Sequence, residues 1–335
     1  MEGLADYTSV REGRSFRRGP VTVSVVIPCY YSQNTIQKVV SLTREQLVGA
    51  GYDYEFVLVN DGSTDETFER IQQLCAEDTR IVGVDCAKNK GQHNALMAGL
   101  KLTRGDYILL MDDDMQTHPS QALKLLRCLE ESGKDVVFAE WPEHKEAAWR
   151  QLGSRFQAWT VCALTGRPKG IYSSNYLVMR RHVREAGDCY KGPFVYIQGL
   201  IFQATNSYCN VEVEHFEREE GTSGYTLKSL VRLWANILGF SLSPLRAAMW
   251  LGFALALVGV IEAVVLLVAQ AVAGPVEGLS FVVALMLFLS GLILFFVGLS
   301  GEYVGRTLMT VSNAPQFVPR AVIDSRPQGR GDDAA

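Results

Sequence analysis

Asp112, Asp113 and Asp114 stand side by side at the end of the apolar run Tyr107-Ile-Leu-Leu-Met111, with the amide of Gln116 two residues further on. Three adjacent carboxylates repel one another and must be hydrated, paired or metal-bound. Oxygen donors clustered at a strand end suit a hard cation such as Mg²⁺ or Mn²⁺, and a cation there can hold a diphosphate. A solvated acidic turn is the plainer alternative. A second apolar run ends in Asn60-Asp61-Gly62-Ser63-Thr64-Asp65. Gly62 can take positive φ, and Ser63 or Asp65 can cap the next helix. That leaves Asp61, whose carboxylate can accept from the imide N–H of a nucleobase or from a ribose hydroxyl. The stretch Asn89-Lys-Gly-Gln-His-Asn94 reads equally as a turn with an asparagine cap, in which His93 is a hydrogen-bonding residue before it is a catalyst.

These residues need a frame, and the first 140 residues supply one by alternation. Strands are expected at Val23 to Pro28, Tyr54 to Val59, Ile81 to Asp85, Tyr107 to Met111 and Asp135 to Ala139. Amphipathic helices fall between them, near Thr35 to Gly49, Asp65 to Ala76, Asn94 to Lys101 and Ser120 to Ser132. Regular β-α-β order with near-continuous apolar strands predicts an α/β fold with a mostly parallel sheet covered on both faces. In such sheets ligands bind at the carboxyl ends of the strands, where the candidate residues cluster.

The C-terminal third has a different character. From Ala247 to Ala273 the only charge is Glu262, and from Leu279 to Gly301 there is none. Both stretches exceed the roughly 20 apolar residues that span a bilayer, and Gly274-Pro-Val-Glu-Gly278 makes a tight turn between them. This predicts a transmembrane hairpin. Lys228, Arg232 and Arg246 precede it and Arg306 and Arg320 follow, whereas the connecting turn has no Lys or Arg, so both termini are expected in the cytoplasm. Thr226 to Phe240 carries Leu227, Leu230, Val231, Leu233, Trp234, Ile237 and Leu238 at largely helical spacing, as in an amphipathic helix lying on a membrane surface. A helix packed on the soluble domain is the alternative.

Glu262 in mid-span is costly if exposed to lipid and is expected to face the other helix or a neighbouring subunit. Gly301 and Gly305, at small-x-x-x-small spacing, allow close helix contact, and with it a homo-oligomer. The polar, Arg-rich residues 1–20 do not resemble a signal peptide. Seven cysteines without a C-x-x-C pair argue for a reducing compartment. A formal net charge of −4, with no basic run interleaved with aromatics, gives no reason to expect nucleic acid.

Several segments together resemble a known family: Val25-Val-Ile-Pro-Cys-Tyr30, Leu58-Val-Asn-Asp-Gly-Ser-Thr-Asp65, Asn89 to Gly99, Met111-Asp-Asp-Asp-Met-Gln116, Glu217-Arg-Glu-Glu-Gly-Thr-Ser-Gly-Tyr225, Ser243-Pro-Leu-Arg246 and Gly301-Glu-Tyr-Val-Gly-Arg306. The ordered set is similar to the family 2 glycosyltransferases of the GT-A fold. Within them it resembles the polyprenyl-phosphate glycosyltransferases: bacterial undecaprenyl-phosphate glucosyl and 4-deoxy-4-formamido-L-arabinose transferases, and dolichol-phosphate mannose synthase. The likeness covers about residues 21–319. It implies a Rossmann-like catalytic domain at 21–225 after a polar tail at 1–20, an amphipathic juxtamembrane segment at 226–245, a transmembrane hairpin at 246–306 and a cytoplasmic tail at 307–335.

By the same resemblance the D-x-D-x-Q pattern falls on Asp112, Asp114 and Gln116, which would hold Mg²⁺ or Mn²⁺, with Asp113 in the variable place. Pro28, Tyr30, Asp61 and Asp112 would contact the nucleotide of a nucleotide sugar. Arg218, with Lys228 and Arg155 as further candidates, would draw in the phosphate of a polyprenyl acceptor at the inner membrane. The expected reaction is metal-dependent, inverting transfer of one sugar to undecaprenyl phosphate, with Asp112, Asp114 and Arg218 as its catalytic groups. Two features depart from the relatives: Glu140-Trp141 stands where a basic residue usually follows a strand, and Ile171 stands where Asp is common. Arg150 and Arg155 are candidates for the missing charge. A processive polysaccharide synthase is disfavoured by the lack of a Q-x-x-R-W segment and by only two spans. A silent membrane scaffold is disfavoured by the complete acidic motif.

Overall fold

The computed structural model describes residues 21–141 apart from Thr117, then Pro168, 170–214, the separate positions Trp250, Gly252, Ala254, Ile261 and Val268, and 279–327. β1 (Thr22–Cys29), β2 (Asp53–Asn60), β3 (Ile81–Cys86) and β4 (Tyr107–Leu110) alternate with α1 (Ile36–Gly49), α2 (Thr67–Glu77) and α3 (Gln92–Leu100). α4 (Ala122–Ser132), β5 (Val136–Glu140), β6 (Leu177–Arg180), α5 (Arg181–Gly187), α6 (Ile197–Ala204) and β7 (Tyr208–Glu212) follow. The chain then adds α7 (Leu279–Val311) and β8 (Pro319–Ile323).

The eight strands form one sheet in the order β7-β5-β6-β4-β1-β2-β3-β8. β1 pairs in parallel with β2 and β4, β2 with β3, and β5 with β7, while β6 and β8 run antiparallel to their neighbours. The expected α/β fold with a mostly parallel sheet is therefore the one observed. β1 can be apolar from Val25 to Cys29 because both of its faces are covered. Val25, Ile27, Phe56 and Leu58 pack against α1, α2 and α4, whereas Val26, Val57, Val59, Ile108 and Leu110 pack against α3, α5 and α6, following the strand's two-residue period. α3 lies especially close: a Cβ on Gly99 would come within 2.5 Å of Val26 Cγ1. That fit fixes the helix whose N-terminus reaches the candidate site.

The segment after Arg306, expected as a cytoplasmic tail, returns to the sheet. Helix α7 continues to Val311, Gln316 donates to the carbonyls of Tyr190 and Gly192 at 2.9 Å each, and β8 closes the β3 edge with Val84 opposite Val322. Arg326 then reaches Glu55 at 2.6 Å, both side chains being under one-tenth exposed. Covering an edge strand and neutralising a buried carboxylate are physical reasons for the return.

α7 is a single backbone helix of 33 residues, and Met286, Ile293 and Val297 along it are exposed. Many of its other side chains, and nearly all of Ala247 to Ala273 with Glu262, lie outside the described residues. Among the described residues no helix is long and apolar enough to cross a membrane; the first arm of the expected hairpin falls outside them.

Candidate active site

The strand order reverses at β1, whose neighbours are β2 on one side and β4 on the other. At such a reversal the loops leaving adjacent strands diverge and open a crevice at the carboxyl end. Pro28 is buried at the end of β1, and Tyr30 and Tyr31 beyond it are each about half exposed. Their rings meet edge to face at 4.6 Å. Tyr31 has φ of 58°, held by Ser63 Oγ accepting from its N–H at 3.0 Å and by its hydroxyl against Thr64 Oγ1 at 3.0 Å. The β1 and β2 loops are thus tied together, leaving aromatic surface open to a planar ligand.

Gly62 takes the expected positive φ, 71°, and a Cβ there would meet Asn89 N at 2.7 Å. Asp61 is buried, and its two oxygens accept from the N–H groups of Lys90 at 3.0 Å and Gly91 at 2.9 Å. Asp61 therefore positions the loop that starts α3. The cap of α3 is Gly91, with φ of 90°, while Asn94 donates back to the Lys90 carbonyl at 2.9 Å.

The acidic triplet does not converge on one point. Met115 takes φ of 62° and buries its side chain, which turns the chain sharply after the triplet, and the three carboxylates meet different partners. Asp114 Oδ1 accepts from Gln116 N at 3.0 Å. Asp112 Oδ1 accepts from Gln92 Nε2 at 2.5 Å. Asp113 Oδ2 accepts from Tyr30 N at 3.1 Å and from the Ser32 hydroxyl. Burial raises the Asp113 pKa; the Ser32 and Tyr30 hydrogen bonds oppose that rise, and the Asp114 charge adds to it. Among the described residues no three His, Cys, Asp or Glu side chains are grouped to hold a metal ion. Asp112 and Asp114 nonetheless fit a cation of the Mg²⁺ type, which takes one or two protein carboxylates and completes its shell with phosphate oxygens and water.

Gln92, Asn175, Gln198 and Tyr31 join this region without having been singled out from the sequence; an isolated amide beside an apolar run was the only signal. Glu140 is exposed at the end of β5. Ile171 packs on the α3 side of the core, an apolar role that an aspartate would not fill. Arg150, Arg155, Arg218, Lys228, Arg232 and the amphipathic stretch at 226–245 lie outside the described residues. A cavity of about 260 Å³ lined by Lys101, Lys191 and Gln316 lies at the opposite end of α3 from Gln92, not at the carboxylates.

His93 keeps some surface, yet its Nδ1 is buried without a hydrogen-bond partner, and burial lowers its pKa from 6.5 to about 4. The unfolded chain then binds the extra proton first, so this group's contribution to stability falls as pH drops from about 6.5 towards 4. His93→Phe should flatten the acid side of the melting-temperature profile over that window; an unchanged slope would assign the acid sensitivity elsewhere.

Comparison with known proteins matches residues 24–185 to glycosyl transferase family 2. An undecaprenyl-phosphate 4-deoxy-4-formamido-L-arabinose transferase of Pseudomonas aeruginosa is 31% identical over 310 residues, covering 91% of each chain. Its counterpart in Photorhabdus laumondii is 30% identical over 312 residues, covering 91% of this chain and 95% of that one. Among solved structures, glucosyl-3-phosphoglycerate synthase of Mycobacterium tuberculosis is 20% identical, covering 66% of this chain and 81% of that one, with a TM-score of 0.47.

Proposed function

The chain belongs to glycosyl transferase family 2 and is a glycosyltransferase, and we propose that it moves one sugar from a nucleotide sugar to a polyprenyl phosphate, undecaprenyl phosphate in particular, at the cytoplasmic face of the inner membrane. One observation carries the donor half of this reading: Asp112 and Asp114 stand at the end of β4 beside Tyr30 at the end of β1, where the strand order reverses. The names of the relatives, matched over nine-tenths of their length, support the acceptor half.

In this reading Tyr30 and Tyr31 cover the base, and Asp61 orders the β2 and α3 loops and accepts from the base or ribose. Asp112, Asp114 and Gln116 would hold Mg²⁺ or Mn²⁺, which when bound would supply Lewis-acid neutralisation of the leaving diphosphate. Asp113 anchors the β1 loop so that the tyrosines and the carboxylates keep their spacing. The acceptor is a phosphate already ionised at neutral pH, so no side chain has to act as a strong base. Attack from the face opposite the diphosphate forms the new C–O bond as the old one breaks, inverting the anomeric centre. Arg218, with Lys228 and Arg155, draws in the acceptor phosphate.

α7 and the stretch at 246–278 form the membrane hairpin in this reading, and subunits associate through it. The exposed apolar side chains along α7 support a lipid-facing helix. The return of the chain from Val311 to β8 supports catalytic domain and C-terminus on one side. Purified full-length protein incubated with a panel of nucleotide sugars, Mn²⁺ or Mg²⁺ and undecaprenyl phosphate should load one sugar per lipid, seen by mass spectrometry of the lipid fraction. Loss of the reaction with EDTA is expected. Chains of sugar would favour a processive synthase, and transfer to no lipid phosphate from any donor would overturn the reading.

A further inference from the structure

Asp112 is the end of a line of amides that starts on α6. Gln198 Nε2 donates to the Ser174 carbonyl at 3.4 Å and to Asn175 Oδ1. Asn175 Nδ2 donates to Gln92 Oε1 at 3.1 Å, and Gln92 Nε2 donates to Asp112 Oδ1 at 2.5 Å. Gln198 is 5% exposed, and its Oε1 is buried without a partner.

The polarity of this line is determined at both ends. Asp112 ionised can only accept, and so can the Ser174 carbonyl. Turning the Gln198 amide around would set its oxygen against two other oxygens, so its nitrogen must face them although its own oxygen is then left without a bond. Asn175 and Gln92 must follow, each presenting nitrogen towards Asp112. Aligned amides reinforce one another in a low-dielectric interior. The three residues come from α6, the loop before β6 and the first turn of α3, elements distant in sequence that the fold brings to one side of Asp112.

We infer that Gln198, Asn175 and Gln92 form a polar relay that fixes the orientation of the Asp112 carboxylate for the divalent cation, making them positioning residues for the metal. This rests on the assignment of the cation to Asp112. Partners that orient a ligating carboxylate typically contribute roughly 10- to 100-fold in metal affinity.

Asn175→Asp is the decisive variant. Aspartate has the shape of asparagine but only accepts, so Gln92 then faces a carboxylate on each side, and whenever it turns its nitrogen towards position 175 its oxygen confronts Asp112 and the line is reversed. Asn175→Ala deletes one link and leaves Gln92 free to keep donating to Asp112. Mn²⁺ alone is titrated into the purified full-length protein, with unbound ion read by electron paramagnetic resonance. Asn175→Asp should bind Mn²⁺ roughly tenfold or more weakly, and more weakly than Asn175→Ala. Simple Coulomb attraction predicts the reverse, because the variant adds a negative charge, and simple packing predicts that the isosteric variant is the milder.

Gln92→Leu, which removes the donor outright, should weaken Mn²⁺ binding as well. It serves if Asn175→Asp does not fold, as judged by melting. Asp112→Asn separates the two levels. If it leaves Mn²⁺ affinity unchanged, the metal assignment fails. If it weakens binding while Asn175→Asp and Gln92→Leu do not, the relay alone fails.

Discussion

Asp114→Asn should lower sugar transfer by about 10²- to 10³-fold, the consequence of withdrawing about 3–4 kcal/mol of charge stabilisation from the transition state. Asp113→Asn, one residue away, should stay within a few-fold of wild type. The contrast follows from the different partners of the two carboxylates. Asp113 Oδ2 alone accepts both the Tyr30 N–H and the Ser32 hydroxyl, so an amide oxygen in its place keeps both bonds. Burial already disfavours its charge. Asp114 lies in the motif position assigned to the cation, where an amide oxygen replaces a full charge with a dipole. Asp113→Ala is the complementary variant: it orphans two donors and should lower stability by about 1–3 kcal/mol while leaving the metal dependence intact. Initial rates against Mn²⁺ concentration, with melting curves on the same preparations, check all three. Equal, near-wild-type rates for Asp114→Asn and Asp113→Asn would remove the metal assignment.

The same triplet shows what a sequence can and cannot disclose. That a ligand site is expected at the end of β4 follows from an apolar strand stopping in carboxylates, because the composition of β1 to β4 dictates a covered parallel sheet and such sheets bind at their carboxyl ends. Gly62 was legible for a similarly local reason: its turn needs positive φ. The division of labour among Asp112, Asp113 and Asp114 was not, since it depends on donors from the loop after β1 and from α3. Gln92, Asn175 and Gln198 were invisible for a stronger reason. Each amide is ordinary in its own segment, and only the antiparallel insertion of β6 beside β4 brings them into line.

β8 was missed because Pro319-Arg-Ala-Val-Ile323 is short and sits in a polar context. Its strand character comes from the open edge of β3, not from its own composition. Arg326 likewise looks like one more charge in a soluble tail, until Glu55 is seen buried opposite it.

Replacing Arg326 should therefore be far more damaging than replacing its neighbour Arg320. Arg320 pairs with Asp85 at 3.3 Å but is 66% exposed; the Asp85 side chain, itself only 7% exposed, keeps the Asn60 Nδ2 donor at 2.8 Å, so solvent screens the pair at the arginine end and Arg320→Ala should cost about 1 kcal/mol. Arg326 is 6% exposed. Its guanidinium donates to Glu55 at 2.6 Å, to the Leu102 carbonyl at 2.9 Å and to Asp324 at 2.7 Å. Arg326→Ala leaves the buried Glu55 charge without its cation, a loss of about 3–5 kcal/mol. In a domain of this size that lowers the melting temperature by on the order of 10 °C. Glu55→Met should not rescue it, because Glu55 also accepts from Ser24 Oγ and from the N–H groups of Arg104 and Gly105, all of which would lose their partner. Raising the salt concentration should shrink the Arg320 effect and leave the Arg326 effect largely in place. Equal melting shifts for the two arginine variants would mean that the buried pair does not hold β8 to the sheet. The expected asymmetry would make Arg326 the fastening by which the chain, after α7, is returned to the sheet that carries the carboxylates.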